Sequence, residues 1–371
     1  MSTTNEIQGP ATDLGPTGDP KPYDLTRYRR IVILTEGHTT VTKAKTAIGL
    51  LRFRGDDVVA VLDSECTYST VGEALGHGND IPVVASLDEV DSPEAMFIGI
   101  SPAGGRLPPA MRAAISQAIA MGIDVVSGLH DFLSNDKTLS AAAANSGSQL
   151  IDVRHIDERD NAKHVQFRQG CVRVHTVGHD CSVGKMFTSL EVQRELQRQG
   201  VDAKFLATGQ TGIMIAGSGI PIDSVVSDFV NGSIENLVLA NDHHDYVLIE
   251  GQGSIVHPAY SGVTLGLLHG CAPDGLILCY EAGRTTTKSL DHVPLKSLAE
   301  LKEIYEWIAS ARHPCQVIGI ALNGRRLSSE EAELEKERVA AELGLPVCDV
   351  YRDGPQVLAD AVLELGKKVN S

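Results

Sequence analysis

A chain of 371 residues, 42% hydrophobic, with 36 glycines and only 4% aromatics, exceeds one ordinary hydrophobic core. It fits two α/β domains rich in tight strand-to-helix turns. A formal net charge of −16 argues against a basic face for nucleic acid, and no apolar run approaches the ~18 residues of a spanning helix.

Seven scattered cysteines, an odd number without a Cys-x-x-Cys pair, read as reduced thiols of a cytoplasmic protein. Neither a disulfide framework nor a zinc site is expected. The first 23 residues are rich in Pro, Gly and Thr and lack the apolar stretch of a signal peptide. Residues 1–29 therefore read as a flexible arm.

From 30 to 154, apolar runs at 31–34, 58–62, 82–85, 95–100 and 123–126 read as buried strands. They alternate with helical spacing at 42–53 and 108–121, then an alanine-rich helix at 136–148 and a last strand at 149–153. This alternation predicts a Rossmann-like open parallel sheet. Ligands of such sheets sit at the carboxyl ends of the strands, which lines up Glu36, Gly37, His38, Asp63, Gly104, Gly105 and His130. The first turn has Gly37 alone and no G-x-G-x-x-G, so nothing there favours a nicotinamide. Asp63 either holds a ribose or is a solvated strand end. The charged stretch 155–170 is the predicted linker.

Residues 171–371 form the second predicted domain, organised around 172–190, VRVHTVGHDCSVGKMFTSL. A β-branched run, a glycine loop, a lysine and a helical pattern follow one another. That is the layout of a phosphate-binding loop, in which backbone N–H groups and a helix N-terminus cradle an anion and the lysine neutralises it. Gly178, His179, Asp180, Cys181, Ser182, Val183, Gly184, Lys185 and Met186 are the candidate cofactor residues. Five residues separate the glycines instead of four. Met186 stands where Ser or Thr would hold Mg²⁺. An anion site is thus better supported than a complete ATP-hydrolysing site. Cys181 lies where a thiolate is favoured, or simply fills a tight loop.

A strand at 203–207 leads into a second glycine turn, Thr208-Gly209-Gln210-Thr211-Gly212, with Gln210 and Thr211 as candidate substrate contacts. The apolar strand 246–249 ends in Glu250-Gly251-Gln252-Gly253-Ser254. An acid at that strand end is where Mg²⁺ or water is handled in such folds. Glu250 and nearby His257 are the candidate bases. His243-His244 reads as a solvated helix end, with no third metal ligand at suitable spacing; no metal site is expected. After a strand at 275–279, Arg284 and Lys288 lie one helical turn apart and can clamp carboxylate or phosphate oxygens. The helix at 298–309 carries Trp307, read as a packing residue. The strand at 317–322 ends at Asn323, where related folds touch a purine base. A charged helix at 330–343, a strand at 345–350 and a helix at 355–367 close a P-loop NTPase-like α/β domain.

The stretch 108–129 looks like part of the coenzyme A-binding domain of succinyl-CoA ligases. The loop from Gly178 to Lys185, with Glu250-Gly251-Gln252-Gly253, is similar to that of dethiobiotin synthetases. Over residues 30–367 the set of Glu-Gly-x-Thr turn, Asp-Cys-x-Val-Gly-Lys-Met loop, Thr-Gly-Gln-Thr-Gly and Glu-Gly-Gln-Gly-Ser resembles the DgcN family, with His38 and His179 as departures. That resemblance implies a D-glutamate N-acetyltransferase working beside an epimerase, with acetyl-CoA as cosubstrate and a small amino acid as acceptor. A coenzyme A diphosphate would occupy the loop without phosphoryl transfer, and Met186 then matters less. The alternative implied by the dethiobiotin synthetase likeness is an ATP- and Mg²⁺-dependent ligase or kinase. A symmetric homo-oligomer is the ordinary expectation for such a chain.

Overall fold

Ile31–Leu34 and Ala95–Ile98 are buried along their whole lengths. Strands buried on both faces need helices above and below, and this favours a parallel sheet. In the computed structural model, which describes residues 23–371, β1 (Ile31–Leu34), β2 (Val58–Leu62), β3 (Val83–Val84), β4 (Ala95–Ile98), β5 (Asp124–Ser127) and β6 (Leu150–Asp152) form one such sheet. Its order is β3-β2-β1-β4-β5-β6, with every pair parallel. Helices α1 (Lys45–Arg54), α2 (Val71–Leu75), α3 (Met111–Ala120) and α4 (Lys137–Ser146) connect the strands. Strand order reverses beside β1, so the crevice for a ligand opens after it.

The second sheet holds β7 (Val172–Gly178), β8 (Ala203–Leu206), β9 (Tyr246–Ile249), β10 (Gly275–Glu281), β13 (Gln316–Asn323) and β14 (Val347–Cys348) in the order β14-β13-β10-β7-β9-β8, again all parallel. A short antiparallel hairpin, β11 (Thr286–Thr287) and β12 (Leu290–Pro294), projects after β10. The helices are α5 (Lys185–Arg198), α6 (Gln210–Ala216), α7 (Val230–Leu239), α8 (Ser261–Cys271), α9 (Leu298–Ser310), α10 (Ser329–Leu343) and α11 (Gln356–Val369). The α/β class, with two parallel sheets, is as the sequence predicts. Among the described residues no helix is long and apolar enough to cross a membrane.

Several local readings change. Of the expected arm, residues 1–22 lie outside the described residues, and the rest is not loose. Leu25 and Tyr28 are buried in the core, and Leu25 N–H donates to Gly217 C=O at 3.1 Å. The 155–170 stretch has no regular element but is held against α7: Lys163 N–H donates to Glu235 at 2.7 Å, and a Cβ at Gly232 would lie 1.9 Å from Asp160 O. Trp307 is 79% exposed; its neighbour on α9, Tyr305, is the packing residue, fully buried. The Tyr305 hydroxyl donates to Gly178 C=O at 2.8 Å and accepts from Ile255 N–H at 3.0 Å.

The two sheets share one core. Leu50, Leu51 and Phe53 of α1 pack in the same cluster as Leu190, Phe205, Ile213 and Met214. Burying each such side chain stabilises by about 1.5–3 kcal/mol. Arg54 fixes the seam. It is 7% exposed, and its guanidinium donates to the carbonyls of Leu25 (3.0 Å), Tyr28 (2.7 Å) and Met214 (3.1 Å) as well as to Asp57 (2.9 Å). Five N–H donors in a rigid fork suit this multiple capping of carbonyls.

Candidate active site

β7 delivers the chain to Gly178 and α5 picks it up at Lys185. The turn between requires left-handed backbone at Gly184 (φ 109°) and at Ser182 (φ 57°). Glycine adopts it freely and serine does not. A Cβ at Gly178 would stand 3.0 Å from Lys185 Nζ, so the bare glycine lets the lysine fold back under the loop. There Nζ donates to the carbonyls of Asp180 (2.9 Å) and Gly253 (2.8 Å). Burial depresses its pKa. Lys185, Met186 and Phe187 form the first turn of α5, where helical amides lack an intrahelical acceptor and can face a ligand or solvent.

Asp180 braces the loop. It is fully buried. Its Oδ1 accepts Cys181 N–H at 2.7 Å, and its Oδ2 accepts Arg284 Nη1 at 2.8 Å and Lys288 N–H at 2.7 Å. Arg284 also donates to Cys181 C=O at 2.9 Å and pairs with Glu281. Glu281, the last residue of β10, is shared with Arg325 (2.8 Å) and Arg326 (2.7 Å). Burial would push both carboxyls up. The amide donors and Arg284 at Asp180, and Arg325 with Arg284 at Glu281, outweigh it, so both stay below the ordinary carboxylate range. Arg284, expected on substrate carboxylates, is therefore engaged in holding the loop. Its side chain is only 9% exposed. Lys288 differs. It sits at the hairpin tip, is exposed, and its Nζ reaches Ser182 Oγ at 2.7 Å.

The two glycine motifs meet at Glu250. Its Oε2 accepts the N–H of Thr208 (2.8 Å) and Gly209 (3.1 Å), and its carbonyl accepts Thr208 Oγ1 (2.8 Å). A Cβ at Gly212 would fall 2.4 Å from Oε2, and one at Gly251 would fall 1.7 Å from Thr176 O. The glycines are thus room for a buried carboxylate and for a close strand crossing. Burial pushes the Glu250 carboxyl up to about 7, against the pull of the Thr208 and Gly209 amides.

His257 is 3% exposed. Its Nδ1 accepts Ala259 N–H at 3.1 Å, so the neutral ring carries its proton on Nε2. Nε2 faces Asp180 Oδ1 at 3.8 Å, beyond hydrogen-bond reach. In this tautomer, assigned from the hydrogen-bond network, His257 is a donor and not the base expected from its position. His179 is neutral, because burial lowers its pKa to about 4. Its Nε2 accepts Glu281 N–H at 3.2 Å, so the ring supports the strand end. Gln210 and Thr211, expected on substrate, instead join the two sheets: Gln210 Nε2 donates to Thr46 Oγ1 at 3.0 Å, and Thr211 Oγ1 lies 2.9 Å from Thr46 Oγ1. Met186 packs toward Gly49 of α1, where a Cβ would sit 3.7 Å from its Cε. Asn323 Nδ2 donates to Val183 C=O of the loop at 3.3 Å.

Among the described residues, Asp180, Cys181 and His257 each bring one ligand-type atom within 4.8 Å of the others. Arg284 already occupies Asp180 Oδ2, and His257 Nε2 holds a proton. Sequence reasoning missed Lys45. At the start of α1, its pKa is lowered by burial and by the nearby charges of Lys288, Arg325 and Arg284, so a cation of the N-terminal half lies near the same group. It also missed the role of Arg325 and Arg326. Their signal, Asn323-Gly324-Arg325-Arg326 directly after a strand, was legible.

Comparison with known proteins follows the same division. Residues 161–359 match the family model described as the DUF1611_C P-loop domain, and residues 64–156 match that of the DUF1611_N Rossmann-like domain. A protein of Tritonibacter scottomollicae named D-glutamate N-acetyltransferase is 39% identical over 86% of this chain and 94% of its own length. One of the same name from a Pseudoalteromonas species is 40% identical over 70% of this chain and 79% of its own length. The crystal structure of a DUF1611 family protein from Anabaena variabilis superposes with a TM-score of 0.82 at 38% identity, covering 91% of this chain and 99% of the other.

Proposed function

The chain belongs to the DUF1611 family, with its Rossmann-like and P-loop domains, and from that premise we propose that it is an N-acetyltransferase that moves acetyl from acetyl-CoA to the amine of D-glutamate, in D-amino-acid catabolism. Relatives that match most of the chain carry the name D-glutamate N-acetyltransferase. The observation that carries the reading is local charge. In a chain of net charge −16, Lys185, Arg284, Lys288, Arg325 and Arg326 converge on the loop against two fixed carboxylates, Asp180 and Glu281. Lys45 adds a further cation. Such a site suits a polyanionic carrier bearing a diphosphate and a ribose phosphate.

The first-turn amides of α5, from Lys185 to Phe187, and the Lys185 ammonium fit the diphosphate. Lys288 and the half-exposed guanidinium groups of Arg325 and Arg326 fit the further phosphate or the acceptor's carboxylates. The thioester supplies an activated acyl carbon. The acceptor amine must lose a proton as it attacks, and Glu250, near pH 7 in its titration, is suited to take it. The Nε2–H of His257 is the donor for the oxyanion that forms on the acyl carbonyl.

A thiol-release assay with acetyl-CoA over D- and L-amino acids, with and without ATP and Mg²⁺, tests the reading. Coenzyme A release with D-glutamate and independent of ATP supports it. ADP release with no coenzyme A release would replace it with the ligase or kinase reading.

A further inference from the structure

α1 begins at Lys45, beyond the turn that follows β1, and its first residues lie against the second half of the chain. Thr46 Oγ1 accepts Gln210 Nε2 at 3.0 Å and lies 2.9 Å from Thr211 Oγ1. A Cβ at Gly49 would stand 2.9 Å from Thr211 Cγ2 and 3.7 Å from Met186 Cε, in the first turn of α5. Residues four apart share a helix face, so Lys45 continues the face that meets Met186, one turn nearer the helix start. Lys45 is exposed and forms no ion pair among the described residues. Its ammonium has cations for neighbours instead: partial burial, then the charges of Lys288, Arg325 and Arg284, lower its pKa against the pull of Glu281.

The carboxylates of this group are already spoken for. Asp180 is held by Arg284 and by the amides of Cys181 and Lys288, and Glu281 by Arg284, Arg325 and Arg326. Lys288 Nζ has Ser182 Oγ at 2.7 Å and no carboxylate. The side chains of Arg325 and Arg326 are half-exposed, so part of each fork stays open. The start of α1, the hairpin tip and the segment after β13 thus bring their cations together. Like charges gathered in this way repel one another unless an anion joins them. An amino acid would bring an ammonium as well, and that needs a free carboxylate, which this group lacks. A phosphate monoester brings about −1.5 to −2 of charge and three strong acceptor oxygens, with no cation. Resting on the acetyltransferase reading, we propose that Lys45, Lys288 and Arg325 hold the ribose 3′-phosphate of the coenzyme. The first turn of α5 takes the diphosphate, and the monoester, on the adjoining ribose, falls on the neighbouring cations. Both halves of the chain then grip the coenzyme, and the extra phosphate selects it over carriers that lack one.

Titration calorimetry on the full chain, at one salt concentration, compares coenzyme A with dephospho-coenzyme A, which lacks only that phosphate. The parent should bind coenzyme A roughly 10- to 100-fold more tightly, the worth of a charge-assisted hydrogen bond. Lys45→Ala should lose about tenfold toward coenzyme A and nothing toward dephospho-coenzyme A, so that much of the preference disappears. Lys43→Ala, an exposed neighbour, should alter neither. Equal affinity of the parent for both compounds, or an equal loss for both in Lys45→Ala, overturns the inference while acetyl transfer stands. A Lys45→Ala variant with the parent's affinity for coenzyme A and a raised KM for D-glutamate also overturns it, and gives the lysine to the acceptor's carboxylate. A chain that binds ATP and neither form of the coenzyme removes the acetyltransferase reading and the inference together.

Discussion

Replacing Glu250 by glutamine separates the two things this carboxyl does. It seats the Thr208–Gly209 turn through two amides, and glutamine can keep that by presenting its carbonyl oxygen. It also titrates, and glutamine cannot. A rise from the ordinary 4.5 to about 7 corresponds to about 3 kcal/mol at ~1.4 kcal/mol per pH unit. The folded state holds the proton more tightly than the unfolded chain, so this contribution is full below pH 4.5. It is lost as pH rises through about 7. Glu250→Gln should remove that part of the pH dependence, so above pH 8 the variant should be more stable than the parent by up to about 3 kcal/mol. If Glu250 is the base, parent turnover should climb through pH 7 as the carboxyl ionises. The variant should lose ~10²–10⁴-fold with its coenzyme Kd unchanged. Denaturant midpoints from pH 5 to 9 and steady-state rates over the same range read both effects. Unchanged turnover refutes the base assignment. An unchanged stability slope refutes the buried, strained ionisation on which it rests.

Arg54→Leu should lower stability by about 3 kcal/mol, because three buried carbonyls lose their donor and Asp57 its partner; urea midpoints measure it. Lys288→Ala should weaken coenzyme binding about tenfold, the worth of one charge-assisted hydrogen bond, with little change in thermal midpoint, as titration calorimetry would record. Gly128→Ala puts a Cβ 1.4 Å from Gln210 Oε1 and should cost about 1–3 kcal/mol by overpacking. Adding Gln210→Ala removes the two nearest atoms and should recover part of that loss in a double-mutant cycle.

The strands were legible because parallel strands buried on both faces leave unbroken apolar runs, as at 31–34 and 246–249. The loop was legible because strand, glycines, lysine and helix occur within 19 residues of one another. What escaped depends on distant partners. Arg284 looks like a free cation until Asp180, 104 positions away, is seen against it. Gln210 and Thr211 look like ligand contacts until Thr46 is seen beside them. α8 was not predicted because Gly266 and Gly270 interrupt its pattern. Each is a point of close approach to α7, where a Cβ would come within 2.2 Å of Val230 and 2.6 Å of Asn231 O. The weak helix former is tolerated because it admits the neighbouring helix. Trp307 was misjudged by treating a large aromatic as core by default.

The seam closed by Arg54 has a bearing on how a bulky carrier gets in and out. With a guanidinium clamping carbonyls from both halves of the chain and a common apolar core behind it, swinging one half away from the other would break those bonds and expose the core to water. On the acetyltransferase reading, the hairpin from Thr286 to Pro294 would be the element to move as a coenzyme enters. It is latched to the loop by two contacts from Lys288, to Asp180 and to Ser182.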